Sequence, residues 1–171
     1  EMTPERKAAF LVRGLVIQHV LGFRRVFVYS FWDEGEDPNY TEHAFGLVDY
    51  KLQKKPAYFA SQVLGRELGD CVYDFKMKGA DEVNYGYVYR KAAGKRYVTV
   101  VWNGASGMAG TFRTQPGTVI VTAMTGGKKE VKTAPDGSFR ALYGPAPVYL
   151  ESAAPVELVK TAKVEKQLAA D

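Results

Sequence analysis

The sequence predicts an α/β segment followed by an all-β antiparallel sandwich. Three observations predict it. Residues 3–69 hold two stretches of helical periodicity around one short apolar run. From residue 70 to about residue 152, period-two segments and turn signals recur instead. The change falls at Gly69-Asp70, which sets the expected domains at 1–69 and 70–153, with 154–171 as a charged tail or linker.

The elements follow in order. Thr3 is placed to cap a helix, with Pro4 at its first position and Glu5 in its first turn. Ala8, Leu11, Val12, Leu15 and His19 then share one face at helical spacing, and Gly22 is placed to end the helix. Residues 25–31 (RVFVYSF) are mostly β-branched and aromatic, without clean alternation. That is the pattern of a strand buried on both faces, as in a parallel sheet or a barrel. Residues 33–42 carry five carboxylates in ten positions, with Gly35 and Pro38 as breakers, and read as a loop. A second helix is expected over residues 56–68, started by Pro56 and made amphipathic by Ala60, Val63, Leu64 and Leu68.

Eight strands are expected after it: 72–78, 84–90, 97–103, 108–113, 118–124, 130–133, 138–143 and 147–151. Ala93-Gly94, Pro116-Gly117, Gly126-Gly127 and Asp136-Gly137 supply turns between them. Short strands at this spacing are the mark of a sandwich. The tail is rich in Ala, Lys and Glu and reads as a frayed helix or linker.

Composition narrows the function classes. Hydrophobic residues make up 46% and charged residues 25%, which is globular composition, not disorder. No apolar run reaches about 18 residues, so no membrane span is expected. The charged start, Glu1-Met2-Thr3-Pro4-Glu5-Arg6-Lys7, runs into a helical pattern and not into a signal peptide. A chain that opens on Glu1 also reads as a processed chain or a fragment. Cys71 is the single cysteine, so no intrachain disulfide or cysteine metal cluster can form. The net charge of +4 is spread over pairs such as Arg24-Arg25 and Lys128-Lys129, without the continuous basic stripe that nucleic-acid binding needs.

The motifs are concentrated in residues 26–60: Tyr29-Ser30-Phe31-Trp32-Asp33-Glu34-Gly35, then Phe45-Gly46-Leu47-Val48, then Lys55-Pro56-Ala57-Tyr58. Aromatic and carboxylate side chains where an apolar strand meets its loop suit a sugar-binding mouth. In order and spacing these residues resemble the last quarter of a (β/α)8 barrel from the retaining glycoside hydrolase clan GH-A, in the style of its family 39-like and family 5-like members. Val100-Val101-Trp102-Asn103 and Ala146-Pro147-Val148-Tyr149-Leu150-Glu151 resemble landmarks of the small C-terminal sandwich that follows such barrels. The likeness covers roughly residues 5–152.

The resemblance implies that residues 1–69 are the terminal helix, strand and helix of a barrel. It implies a carbohydrate substrate, no cofactor, and secretion or a periplasmic location. Retaining glycosidases need two carboxyl groups about 5–5.5 Å apart. The resemblance puts them on barrel strands upstream of this chain, so no catalytic residue transfers onto it. The missing N-terminal part of the barrel is then an implied partner, and this chain alone is expected to be inactive.

Four side chains are the candidate sugar contacts. Trp32 heads them, because an indole at the end of a barrel strand can stack on the apolar face of a pyranose. The alternative is a Trp that packs the barrel top. Asp33 and Glu34 can accept hydrogen bonds from sugar hydroxyls; alternatively they belong to a solvated loop, with Asp33 capping a turn. Tyr29 faces either the lumen or the core.

His19 and His43 lack a second ligand at metal spacing and read as surface or satisfied-core histidines. The loop carboxylates do not match an EF-hand spacing, so no metal is expected. Tyr85, Tyr87 and Tyr89 share one strand face and read as packing residues, with a sugar platform as the other possibility. Cys71 reads as a small buried hydrophobe.

Two other function classes stay open. One is a non-catalytic carbohydrate-binding or structural accessory module built on residues 72–152. The other is a basic interaction domain.

If the chain is a barrel fragment, Phe10, Leu11, Leu15, Val26, Phe27 and Val28 lose their partners. Residues 1–69 are then expected to be loose or docked on the sandwich.

Overall fold

The structure is a computed structural model that describes residues 2–37 and 40–164. Glu1, the loop breaker Pro38 and the end of the tail from residue 165 lie outside the described residues.

Helix α1 (Pro4–Val20) begins where the capping signal placed it, with the Thr3 hydroxyl accepting from the Arg6 amide at 3.2 Å. Gly22 adopts φ +87°, the left-handed conformation that closes a helix. Helix α2 (Pro56–Leu68) matches its expected bounds. Nine strands follow among the described residues: β1 (Cys71–Lys76), β2 (Asn84–Lys91), β3 (Tyr97–Asn103), β4 (Met108–Arg113), β5 (Thr118–Ala123), β6 (Lys128–Lys132), β7 (Ser138–Tyr143), β8 (Val148–Ser152) and β9 (Glu157–Lys163). All their pairings are antiparallel. They form a six-stranded sheet in the order β1-β2-β3-β8-β5-β6 and a three-stranded sheet in the order β7-β4-β9.

These elements stack in three layers. Between the two sheets lie Met77, Val88, Val101, Phe112, Phe139, Tyr143 and Leu150. On the other face of the large sheet, α1 and α2 dock. Ala8, Val12, Val16, Ala60, Val63 and Leu68 pack there against Tyr89, Val98, Val100, Trp102 and Tyr149. The central strand β3 is therefore buried on both faces, with Val98 and Val100 toward the helices and Val101 toward the small sheet. Its almost continuous apolar sequence follows from this, since a strand with one wet face would alternate.

Two features depart from the sequence expectation. Residues 25–31, expected as a doubly buried strand, form none. Phe27 is 91% exposed, and the strand-like contacts near it are isolated bridges of Trp32 with Val48 and of Val48 with Lys54. The reason is hydrogen bonding: an extended apolar run becomes a strand only beside another strand, and here only its end, at Ser30 and Phe31, accepts main-chain bonds, from Leu47 and Val48. The second departure is the tail. Residues 157–163, expected as a frayed helix or linker, are β9, an edge strand paired with β4.

Glu151 on β8 ties the large sheet together. Its carboxylate meets Lys91 at 3.0 Å and Arg96 at 2.6 Å. Burial alone would raise its pKa, but the hydrogen bonds from Lys91 and Arg96 outweigh burial and hold it below its ordinary value of 4.5. A depressed carboxylate contributes stability that is complete above the unfolded-state value. That stability is lost as the pH falls through the folded value. Glu151→Gln is therefore expected to flatten the loss of stability below about pH 4.5. Urea melts of both proteins between neutral and acid pH check it, and parallel acid dependence in the two would refute it.

Candidate functional site

The candidate residues gather where three segments meet: residues 29–36, residues 44–49, and the start of α2. Main-chain hydrogen bonds join them first. Leu47 N–H donates to Ser30 O at 3.2 Å, Val48 N–H to Phe31 O at 3.0 Å, and Asp33 N–H to Val48 O at 3.1 Å. Lys55 N–H donates back to Leu47 O at 3.0 Å, which brings the start of α2 into the group. Asp49 closes the following turn, its Oδ1 accepting from the Lys51 and Gln53 amides at 2.9 and 2.7 Å.

On this frame Trp32 stands at the rim, 56% exposed. Tyr29 is also exposed; its hydroxyl donates to Glu34 Oε1, and its ring meets Phe45 edge-on at 6.3 Å. Trp32, Tyr29 and Glu34, three of the four candidates, are thus exposed. Asp33 is not: it is 7% exposed. Its Oδ1 accepts from Gly46 N–H at 2.8 Å and from Lys55 Nζ at 2.6 Å, and its Oδ2 lies 2.5 Å from the same ammonium. Lys55 and Gly46 are thus part of the site. Their sequence signal was present, since both stand in the quoted motifs, but nothing local paired them with Asp33.

Beside this frame runs a groove of about 900 Å³ between α1 and the start of α2. Phe10, Leu11, Val28, Phe45 and Leu47 make its apolar part, and Lys7 and Lys54 line it as well.

The other candidates are occupied differently. His19 stacks on Tyr89 at 5.5 Å, and His43 Nδ1 accepts from the Asp37 amide at 3.2 Å. The loop carboxylates have separate partners: Asp33 holds Lys55, and Glu36 meets Lys51 at 3.1 Å. Among the described residues no group of three or more His, Cys, Asp or Glu is placed around a common metal position. Tyr85 stacks on Trp102 at 5.1 Å and 10°, and Tyr87 lies against the same indole at 5.5 Å. Tyr89 is fully buried beneath the helices. This row packs the helix-to-sheet contact. Burial, with a contribution from Asp70, pushes the Cys71 thiol up to about 12, far from a reactive thiolate. Among the described residues no helix is long and apolar enough to cross a membrane.

No family model and no curated protein matches this chain. Solved structures do. A family 39 glycoside hydrolase from the gut symbiont Bacteroides cellulosilyticus is similar with a TM-score of 0.69 and 24% identity over 84% of this chain. The match takes in 29% of that protein, so this chain corresponds to less than a third of it. A GH30 endoxylanase from Clostridium papyrosolvens has a TM-score of 0.46 and 14% identity over 61% of this chain and 29% of its own. At these identities the family 39 likeness is one of fold: helices and antiparallel sheets in the same arrangement.

Proposed function

We propose that this chain is the C-terminal part of a retaining glycoside hydrolase that acts on O-glycosidic bonds of oligo- or polysaccharides. Residues 1–69 form the end of its (β/α)8 barrel, with α1 and α2 as the last two helices and 25–31 as the last strand. Residues 70–153 form the accessory sandwich, extended by β9. Trp32, with Tyr29 and Glu34, provides an aromatic wall of the sugar site. The catalytic carboxylates come from upstream barrel strands, and the carbohydrate is bound between the two parts.

One observation carries this reading. The apolar run at 26–31 has no strand beside it, yet it ends at an exposed Trp32 and adjoins an open apolar groove. A run of this composition gains its stability between two parallel neighbours. A barrel closes only with all its strands, and its functional side chains sit where those strands end. The fold likeness to a family 39 glycoside hydrolase of more than three times the matched length supports the same assignment.

Turnover of aryl glycosides tests it. The 171-residue chain alone is expected to hydrolyse none. The same chain expressed with upstream barrel sequence is expected to hydrolyse them with retention of anomeric configuration. Clear hydrolysis by the isolated chain would overturn the reading.

A further inference from the structure

We propose that Asp33 is a positioning residue. Its buried carboxylate, gripped by Lys55 and the Gly46 amide, holds Trp32 at the rim before any ligand arrives. This role for the clamp rests on the reading of Trp32 as a sugar contact.

Three observations carry it. Asp33 is 7% exposed although the Trp32 next to it is 56% exposed, so the chain turns one side chain inward and the other outward. The partners of Asp33 are distant in sequence: Gly46 lies 13 residues on and Lys55 lies 22 residues on. One carboxylate thereby joins the Trp32 segment, the Val48 segment and the N-cap of α2. Finally, the contact at Gly46 is so close that a Cβ there would stand 2.3 Å from Asp33 N and from the carbonyl carbon of Trp32. Only glycine permits it.

Chemistry explains why a charge serves here. A largely buried ion pair contributes little net stability against an apolar replacement, because both charges must be desolvated. What it supplies is direction. The two oxygens of Asp33 admit few arrangements of Lys55 and Gly46, and the adjoining indole inherits that order. A binding wall fixed in advance avoids an ordering cost when a ligand arrives. Asp33 thus acts through Trp32 and does not itself meet the sugar.

The test reads the order of Trp32 in the 171-residue chain. The chain has two tryptophans, so Trp32 emission is taken as the difference from Trp32→Phe. Asp33→Asn and Lys55→Met are each expected to raise the acrylamide quenching constant of Trp32 about twofold and to lower its fluorescence anisotropy, as the rim becomes mobile. Far-UV circular dichroism stays unchanged, and Lys55→Arg, which keeps the cation, restores most of the order. Unchanged quenching and anisotropy in Asp33→Asn and Lys55→Met would overturn the proposal. Should Asp33→Asn unfold the chain, Lys55→Met reads the same clamp from its other side. The sugar reading fails separately, if hydrolysis by the longer protein ignores Trp32→Ala.

Discussion

Trp102→Ala is expected to destabilise the chain by about 3–5 kcal/mol, the usual cost of emptying a large aromatic site in a packed core. Trp102 is 1% exposed, and its ring is held by Tyr85 and Tyr87 on the face where α1 and α2 dock. The vacated space cannot close easily, because the sheet beneath is hydrogen-bonded and both helices are packed on it. Domains have only about 5–15 kcal/mol of total stability, so a large share would go. Urea unfolding followed by circular dichroism measures it. A loss below about 1 kcal/mol would show that helices and sheet do not share one core. Removing residues 1–69 would uncover Val98, Val100, Trp102 and Tyr149 together.

Trp32→Ala is expected to act in the opposite way, on function and not on stability. Its indole is more than half exposed, so truncation should change unfolding free energy by no more than about 0.5 kcal/mol. Under the proposed function the indole stacks on a pyranose. Removing such a contact is expected to cost about 1.4 kcal/mol, or about tenfold in kcat/KM. The measurement is steady-state hydrolysis of an aryl glycoside by the chain joined to its upstream barrel, beside a melt of the same variant. Unchanged kcat/KM would remove Trp32 from the sugar site. A large stability loss would make it a packing residue.

Much of the architecture was legible. Thr3, Pro4, Gly22 and Pro56 marked the helix ends, because capping and proline geometry act within a few residues. Eight strands were readable from period two and from turn residues such as Asp136-Gly137. The ninth was not. In β9 only Leu158 is buried, while Val159, Lys160 and Lys163 face water, which is how an edge strand hides in an Ala-, Lys- and Glu-rich tail. In α1 the expected face was turned slightly: Ala8 and Val12 are buried as expected, but Val16 joins them and Leu11 and Leu15 are only half-buried. Leu11 lines the groove, where the proposed barrel neighbour would sit.

The candidate residues were legible as one motif, but their burial was not. Trp32, Glu34 and Tyr29 are exposed, whereas Asp33 is turned onto Lys55 and Gly46. Adjacent positions in one motif gave no hint that one would turn in and the next out.

By itself, the sequence determined the local order of this protein: where helices start and stop, where strands alternate, and which short stretch concentrates aromatic and acidic groups. Capping, periodicity and turn chemistry are short-range forces, and they are written in neighbouring residues. Tertiary packing settled that the helices cover the large sheet, that β9 pairs with β4, that Asp33 meets Lys55, and that 25–31 forms no strand. Each of those depends on residues far along the chain, because burial and strand pairing need a second surface.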